Sequence, residues 1–337
     1  MEPLYFSFII PVYNRPDEIN ELLDSFTNLK GNSNIEIIIV EDGSSLVCKS
    51  VVDSFQSKLN VTYYFKENSG PGDSRNYGME RAKGNYFIIL DSDCLLPENY
   101  LEVVKQNLEN NYVDCFGGPD AAHQSFSNLQ KAINFAMTSF MTTGGIRGGN
   151  KGQKNYQPRS FNMGISKQAF EDSNGFGIIH PGEDPDLAIR LTKLGYKTAL
   201  FNDAFVFHKR RISWSKFYKQ VYKFGMVRPI LNRWHPETNK LIYWMPTFFM
   251  LGFMVSILLL IFQIIWPIVL YVLYFLTIFS VALFTTKSFF VALQSIVAIF
   301  IQFLGYGYGF LKSTLKLKMS SKSPERQFPN LFFTHVK

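Results

Sequence analysis

Residues 86–96, YFIILDSDCLL, place a run of aromatic and apolar residues directly before two aspartates. The run predicts a buried strand, with Asp91 and Asp93 at its end. Two carboxylates this close repel each other, and their position at the edge of an apolar core is costly unless a cation binds there. Asp and Ser also favour turns after strands, so the D-x-D pattern alone leaves a plain turn open as the alternative.

This stretch lies within alternating strand and helix patterns. Apolar runs predict strands at residues 4–12, 35–40, 61–65 and 86–90, and helical spacing predicts helices at 16–26, 47–55 and 97–110. Continuous apolar strands between amphipathic helices are typical of an α/β domain with a mostly parallel sheet covered on both faces. Ligands of such sheets bind at the carboxyl ends of the strands, where the polar residues of this chain cluster.

The C-terminal part of the chain is uncharged over long distances. Residues 241–286 and 288–311 contain no charged side chain, and Lys287 alone separates them. A helix needs about 20 apolar residues to cross a bilayer, so two spans are predicted in the first stretch and one in the second. Buried core helices are the alternative, although core helices seldom run uncharged on every face over this length.

A basic block precedes these stretches. Residues 209–240 contain nine Lys or Arg and one acidic residue. Basic residues beside hydrophobic spans favour the cytoplasmic side and anionic lipid headgroups, which makes nucleic acid the poorer partner. Apolar residues on one face from Trp214 to Phe224 predict an interfacial amphipathic helix capped by Ser213, with a core-packing helix as the alternative.

The expected location follows from the ends of the chain. The first apolar run is short, lacks a basic leader and contains Pro11, so it predicts a strand rather than a signal peptide, and the first 240 residues are expected in the cytoplasm. Three complete spans would place the basic tail outside, against the positive-inside preference, which leaves two or three crossings open. The segment 124–159, rich in Gly, Asn and Lys, predicts either a loop over the site or a plain surface loop.

Five motifs occur in a specific order: FIIPVYNRP, IIIVEDGSS, NSGPGDSRNYGMERAKGNYFIILDSD, GEDPDLAIRL and a late histidine. Together they resemble the family 2 glycosyltransferases of the GT-A fold over about residues 5–210. The later FGMVRPILNRWHP and GYGYGFL resemble a membrane-attached branch that includes the succinoglycan biosynthesis galactosyltransferase. The expected domains are a catalytic domain (1–210), a basic juxtamembrane segment (211–240), a transmembrane region (241–311) and a basic tail (312–337).

The resemblance implies a nucleotide-sugar donor, and a UDP-sugar is the favoured form. It assigns these residues to the donor: Pro11, Tyr13, Asn14, Asp42, Arg75 and Asp91. Arg75 is expected near the diphosphate, because a guanidinium matches phosphate geometry. An arginine on a surface helix is the alternative for Arg75.

The resemblance also implies a divalent metal and a general base. Asp93 and His208, with Asp91 directly or through a water, are expected to bind Mg2+ or Mn2+. Within GEDPDL, Asp184 is expected to deprotonate the acceptor beside its catalytic neighbour Glu183, while an acidic helix start is the structural alternative. The arginines assigned to an acceptor or lipid phosphate are Arg210, Arg211 and Arg228.

These features predict an inverting, metal-dependent glycosyltransferase at the cytoplasmic face of the inner membrane, acting on a lipid-linked saccharide in polysaccharide or glycolipid biosynthesis. Transfer to a polyprenyl phosphate is a close rival, and a non-enzymatic membrane scaffold with a relic nucleotide pocket is a rival from another class. Residues 220–224, QVYKF, lack the Arg and Trp of the Q-x-x-R-W motif of processive synthases. No strand is followed by G-x-G-x-x-G, so a dehydrogenase is not supported.

Overall fold

The computed structural model describes residues 3–31, 35–121, 126–143, 156–209 and 213–333 of the 337-residue chain. Contacts divide these residues into two units. The first comprises residues 3–121, 156–209 and 332–333, and the second comprises 126–143 and 213–331. This division differs from the expected domains at two places, because part of the middle segment belongs to the second unit and the pair 332–333 returns to the first.

The first unit contains the strands of the described chain. They are β1 (Phe6–Val12), β2 (Ile35–Asp42), β3 (Val61–Lys66), β4 (Tyr86–Leu90), β5 (Cys94–Leu95), β6 (Cys115–Gly117), β7 (Asp120–Ala121), β8 (Asn162–Ser166), β9 (Thr198–Leu200) and β10 (Val206–His208). A seven-stranded sheet has the order β3-β2-β1-β4-β8-β6-β9, and a small sheet has the order β5-β10-β7.

Helices surround the large sheet and build the second unit. They are α1 (Pro16–Thr27), α2 (Lys49–Phe55), α3 (Pro71–Arg81), α4 (Tyr100–Asn110), α5 (Asn128–Thr138), α6 (Phe140–Thr143), α7 (Lys167–Ser173), α8 (Glu183–Lys193), α9 (Trp214–Trp234), α10 (Met245–Ile261), α11 (Trp266–Thr286), α12 (Phe289–Met319) and α13 (Pro324–Gln327). The predicted α/β class with a mostly parallel sheet is confirmed: β3, β2, β1 and β4 run parallel, and β8 is antiparallel to β4 and β6.

Three of the four predicted strands are buried along their whole length, because the sheet is covered on both faces there. Every residue of β1, β2 and β4 is buried, which explains their continuous apolar runs. One core lies on the α1 and α4 side, where Phe8 packs edge-on against Phe26 with ring centroids 4.8 Å apart. A second core, on the opposite face, includes Ile9 and Ile89. Alternate side chains therefore enter the two cores, and the parallel direction of β1 to β4 places their carboxyl ends at one edge of the sheet.

The middle segment differs from the loop predicted for residues 124–159. Residues 128–138 form α5, and Ser127 caps it by accepting a hydrogen bond from the backbone N–H of Gln130 at 3.3 Å. Ile133 and Ala136 of this helix are fully buried in the core of the second unit. The loop prediction is therefore wrong for these residues, because their apolar face has packing partners, while residues 144–155 lie outside the described part.

The predicted helix after residue 213 is present and longer than expected. Ser213 caps α9, and its Oγ accepts the backbone N–H of Lys216 at 3.3 Å. However, Phe217 is 0% exposed and Val221 is 2% exposed, and both belong to a core shared with α5 and α12. This corrects the interpretation of an interfacial helix with its apolar face in lipid, since protein covers that face.

Glycines bring α9 and α12 into backbone contact. A Cβ on Gly225 would clash with the backbone carbonyl of Tyr306, and one on Gly305 would lie 2.7 Å from Val221 Cγ2. Gly309 in turn meets the carbonyl of Tyr222. The stretches FGMVRP and GYGYGFL therefore form one packing seam, which is the role that small residues serve between closely packed helices.

Among the residues that the structure describes, three helices are long and apolar enough to cross a membrane. They are Leu241–Ile261, Trp266–Thr286 and Phe289–Met319, and in the most apolar window of each, 17%, 11% and 39% of the residues are buried. The third segment is therefore the one most covered by protein. Its carboxyl-terminal part carries the glycine seam with the basic helix α9.

Candidate active site

The carboxyl end of β2 carries Asp42, whose carboxylate binds other groups of the same chain. Asp42 is 4% exposed, and its two oxygens accept the backbone N–H groups of Ser69 and Gly70, each at 3.0 Å. Lys66 Nζ lies 2.9 Å from Asp42 Oδ1. Asp42 therefore fixes the loop between β3 and α3. Its assignment to the base or ribose of a donor stays a prediction.

The other residues assigned to the nucleotide lie at the end of β1. Pro11 is buried within the strand opposite Val40, whereas the Tyr13 side chain is 53% exposed. Asn14 has φ +55°, and its Oδ1 accepts the backbone N–H of Leu46 at 2.9 Å. The loops after β1 and β2 are thereby tied together, and the Tyr13 ring is the exposed surface beside them.

A buried arginine joins two of the predicted acidic motifs. Arg75 on α3 is 3% exposed, and its NH2 donates to Asp91 Oδ1 at 2.8 Å while its NH1 donates to Glu183 Oε1 at 3.0 Å. Burial lowers the pKa of Arg75, but the charges of Asp91 and Glu183 outweigh burial and raise it. The D-x-D end of β4 and the start of α8 are therefore held by one guanidinium. The assignments of Arg75 to a diphosphate and of Asp91 to a ribose or metal stay predictions.

Close packing of α3 on the sheet places this arginine. A Cβ on Gly78 would lie 2.7 Å from Ile9 Cγ2, so only glycine allows the helix to approach β1 this closely. The Asn76 side chain donates to the carbonyl of Phe176 at 2.9 Å and accepts its backbone N–H at 2.8 Å. These contacts fix both the distance of α3 from the sheet and its position beside the segment that leads to α8.

Glu183 has a second partner that the sequence did not indicate. His180 Nδ1 lies 3.0 Å from Glu183 Oε1. Burial raises the pKa of Glu183, but His180 and Arg75 outweigh burial and lower the pKa to about 2. Glu183 is therefore an ionised, fixed carboxylate, and so acidic a group is a poor proton acceptor near neutral pH.

Asp184 faces a different group. Its Oδ2 lies 3.7 Å from Arg159 NH1, and its side chain is 17% exposed, against 5% for Glu183. Asp186, in the same turn, binds Arg190 Nε at 2.9 Å. The acidic start of α8 is thus real, and within it Asp184 is the most accessible of the three carboxylates.

The small sheet brings Asp93 and His208 together. β5 pairs antiparallel with β10 so that Cys94 lies opposite His208, which sets the preceding Asp93 beside the imidazole. Asp93 Oδ1 lies 3.1 Å from His208 Nε2. Two ligands about 2.1 Å from one octahedral cation are about 3 Å apart, so this pair fits a shared metal. The Cys94 thiol lies within 4.8 Å of both, but Mg2+ and Mn2+ prefer oxygen and nitrogen.

The surroundings of this pair suit a divalent cation. Ser92 Oγ donates to Glu18 Oε2 at 3.1 Å, and burial together with the negative charge of Asp93 raises the pKa of Glu18. On its other side, His208 Nδ1 lies 3.7 Å from Asp120 Oδ2. A cation would relieve the crowding of carboxylates, and a carboxylate behind the imidazole is a common partner of a metal-binding histidine.

Three arginines were assigned to an acceptor or lipid phosphate, and this role stays a prediction. Arg210 and Arg211 lie outside the described residues. Arg228 belongs to the second unit and is 8% exposed. Its guanidinium binds Asn232 at 2.9 Å and Thr238 at 2.7 Å. Arg228 therefore ties α9 to the segment after it, and its phosphate role stays a prediction.

Several supporting residues were missed by sequence reasoning. Glu41 is fully buried in β2 and accepts the backbone N–H of Cys48 at 2.7 Å, which holds the loop after that strand. An acidic residue inside an apolar strand was the available signal for Glu41. Asp120 had no such signal, because its partner His208 is distant in sequence, and no local pattern marked His180, although Glu183 is only three residues away.

Replacement of Arg75 by alanine is expected to destabilise the first unit by about 3 kcal/mol or more, because it leaves the buried Glu183 without one of its charged partners. Cys48, Cys94 and Cys115 are all buried in this unit, so thiol labelling in increasing urea measures its unfolding. Arg81→Ala is the matched control on the same helix.

The Arg81 side chain is 38% exposed, and its replacement is expected to cost about 1 kcal/mol or less. Equal urea midpoints for the Arg75 and Arg81 variants would contradict the structural role of the Arg75 bridge.

Comparisons with known proteins agree with this architecture. Residues 7–173 match the model of the family described as glycosyl transferase family 2. An uncharacterised glycosyltransferase of Haemophilus influenzae is 38% identical over 112 residues, which are 32% of this chain and 37% of the relative. The minor teichoic acid biosynthesis protein GgaB of Bacillus subtilis is 36% identical over 104 residues, 29% of this chain and 11% of that protein. The chain thus spans well under half of these relatives.

A solved structure extends the likeness to the whole fold. The mannosyltransferase PcManGT from Pyrobaculum calidifontis, in complex with GDP-Man and Mn2+, has a TM-score of 0.60 at 14% identity, with 94% of this chain and 89% of that chain covered. An identity this low supports the fold alone. Taken together, the first unit of this chain has a GT-A-like fold, and its residues 7–173 match the family 2 glycosyltransferase model.

Proposed function

We propose that this chain is an inverting, metal-dependent glycosyltransferase that moves one sugar from a nucleotide-sugar donor to a lipid-linked saccharide. The observation that carries the proposal is the convergence of acidic motifs at the end of β4. Arg75 joins Asp91 to Glu183, and Asp93 lies against His208. This arrangement offers a cation site and a more accessible carboxylate on α8 within one domain of the matched family.

Donor binding in the proposed reaction depends on Asp93 and His208, which together are called the metal pair. Asp93 and His208 would hold a divalent cation, which when bound supplies charge that stabilises the departing nucleoside diphosphate. The loop fixed by Asp42 and the exposed Tyr13 ring would border the base and ribose. PcManGT is in complex with GDP-Man and Mn2+, and we propose ligands of the same classes here, with a UDP-sugar as the first donor to test.

Activation of the acceptor in the proposed reaction depends on Asp184. In the proposed roles, Asp184 accepts the proton of the acceptor hydroxyl as that oxygen attacks the sugar carbon. Glu183 remains ionised and fixes Arg75, so it positions the site rather than exchanging a proton. Arg159, 3.7 Å from Asp184 Oδ2, orients the base. A single displacement of this kind inverts the configuration of the sugar carbon.

Membrane attachment supports a lipid-linked acceptor. In the described part of the chain, three apolar helices follow residue 209 of the first unit, which we propose to be the catalytic unit. The lysines on the outer side of α9, which are Lys216, Lys219 and Lys223, are exposed and suit anionic lipid headgroups. We propose the cytoplasmic face of the inner membrane as the site of action, and the likeness of FGMVRPILNRWHP and GYGYGFL to the succinoglycan galactosyltransferase branch is part of this proposal.

The direction of the apolar helices bears on the number of crossings. α10 and α12 pack antiparallel: Thr247 Oγ1 donates to the Gly307 carbonyl at 3.0 Å, and Phe253 meets Phe300 with ring centroids 5.1 Å apart. If three consecutive helices all crossed, the first and the third would run in the same direction.

The last described residues also favour an even number of membrane crossings. Phe332 pairs with Ile179, which belongs to the first unit, so the chain returns to the catalytic unit after α12. We propose that α10 and α12 cross and that α11 does not complete a crossing. This arrangement places the basic tail on the cytoplasmic side, in agreement with the positive-inside preference.

Removal of the metal pair is expected to abolish donor turnover. Asp93→Ala should lose both Mn2+ binding and activity, and His208→Gln should weaken both by a smaller factor, because the negatively charged Asp93 ligand remains. Mn2+ binding by electron paramagnetic resonance and release of nucleoside diphosphate are the measurements. Asp203→Ala, which replaces an exposed aspartate three residues before the start of β10, is the control. Full activity in excess chelator would contradict the assignment.

Replacement of the proposed base is expected to slow chemistry without weakening donor binding. Asp184→Asn should reduce kcat by about 10² to 10⁴, the usual range for a positioned general base, while donor affinity stays near the original value. Single-turnover kinetics and nucleotide binding separate the two effects.

Asp186→Asn is the matched control in the same helical turn, since Asp186 is bound to Arg190. A larger loss from Asp186→Asn than from Asp184→Asn would move the base to Asp186. A product that retains the anomeric configuration of the donor would contradict the single displacement.

The topology is testable with introduced cysteines, because the three native thiols are buried. Ser320→Cys, after α12, should be labelled from the same membrane side as the exposed Lys30→Cys of the catalytic unit. Gln263→Cys and Lys287→Cys, before and after α11, should both be labelled from the opposite side. Labelling of Ser320→Cys from the side opposite to Lys30→Cys would establish an odd number of crossings.

A further inference from the structure

The chain returns to the catalytic unit at a functional position. The backbone N–H of Phe333 donates to the Ile178 carbonyl at 3.0 Å, and Phe332 forms an antiparallel bridge with Ile179. Phe332 and Phe333 belong to the first unit by their contacts. The pair therefore forms an isolated antiparallel β-bridge beside the segment that leads to α8.

The Phe333 ring covers a glycine of the loop that Asp42 holds. A Cβ on Gly70 would collide with the Phe333 ring, so the ring rests directly on the Gly70 backbone. Gly70 has φ +94°, a conformation that favours glycine, and its N–H donates to Asp42 Oδ2. Gly70 also directly precedes α3, the helix that carries Arg75. Phe333 thus contacts the residue that joins the loop held by Asp42 to α3, the helix that carries Arg75.

The same ring reaches the other partner of Glu183. The ring centroids of Phe333 and His180 are 6.0 Å apart, and His180 Nδ1 lies 3.0 Å from Glu183 Oε1. Phe333 therefore touches both residues that lead to the Arg75–Glu183 pair, one through α3 and the other through His180. The Phe333 side chain therefore links the loop before α3 to His180, and Arg75 links the same helix to Glu183.

We propose that Phe333 is a positioning residue of the donor site, which makes nucleotide binding depend on the segment that follows the membrane helices. The ring holds the Gly70 loop against Asp42 and keeps His180 on Glu183. Loss of the ring releases the loop, so donor affinity falls while the base on α8 remains in place. The proposal rests on the proposed function, since it assigns a role in that same donor site.

The test compares full-length Phe333→Ala with the unaltered chain in detergent. UDP and GDP in the presence of Mn2+ are the binding probes, and turnover of UDP- and GDP-sugars gives KM and kcat. Phe333→Ala is expected to raise KM and the Kd of the bound nucleotide about tenfold, with kcat changed by about twofold or less. Hydrogen exchange of the Ser69 and Gly70 amides should also accelerate.

Two variants separate positioning from general damage. Phe333→Tyr keeps the ring and should restore KM to within about twofold of the original value. Phe140→Ala removes a phenylalanine of the second unit that is 69% exposed, and it should change neither KM nor amide exchange. Unchanged KM, Kd and exchange in Phe333→Ala, in a chain that binds nucleotide and turns over donor, would overturn this proposal alone. If the unaltered chain neither binds UDP or GDP nor turns over any donor, the proposed function and this inference both fall.

Discussion

The ion pairs of Arg75 are the constraint on which the site depends. A guanidinium that is 3% exposed must be satisfied by charged partners, and it finds them in Asp91 and Glu183. Because these carboxylates come from a strand end and from a helix start 92 residues further along the chain, one side chain determines how the two halves of the site meet. The glycine that lets α3 approach β1 and the Asn76 clamp on Phe176 serve the same end.

The sequence predicted those parts of the fold in which local pattern and burial agree. The strands β1, β2 and β4 are buried and mostly apolar because both faces of the sheet are covered there, and α1 and α4 show the periodicity of helices with one buried face. Helix α3 carries no such signal, since glycines and polar residues make its contacts with the sheet and with Phe176. The same limit hid α5, whose buried face became recognisable only beside α9 and α12.

The candidate site was predictable as a set of residue types but not as a network. The motifs indicated Asp93 and His208 as neighbours, and the β5–β10 pairing brings them within 3.1 Å. The resemblance assigned Arg75 to a diphosphate, which stays a prediction, and nothing in the sequence indicated that both terminal nitrogens donate to protein carboxylates. The contact between His180 and Phe333 had no signal, because it joins segments far apart in sequence. Long-range partners of this kind cannot be derived from spacing alone.

The central claim is that this network binds and activates a nucleotide-sugar. The most direct measurement is the release of nucleoside diphosphate by the full chain in detergent from a panel of UDP- and GDP-sugars, with membrane lipid extract as the acceptor source. The account predicts turnover of one or a few donors that needs Mg2+ or Mn2+, stops in excess chelator and disappears in Asp93→Ala. Absence of turnover with every donor and both metals, or turnover that persists in chelator, would contradict it.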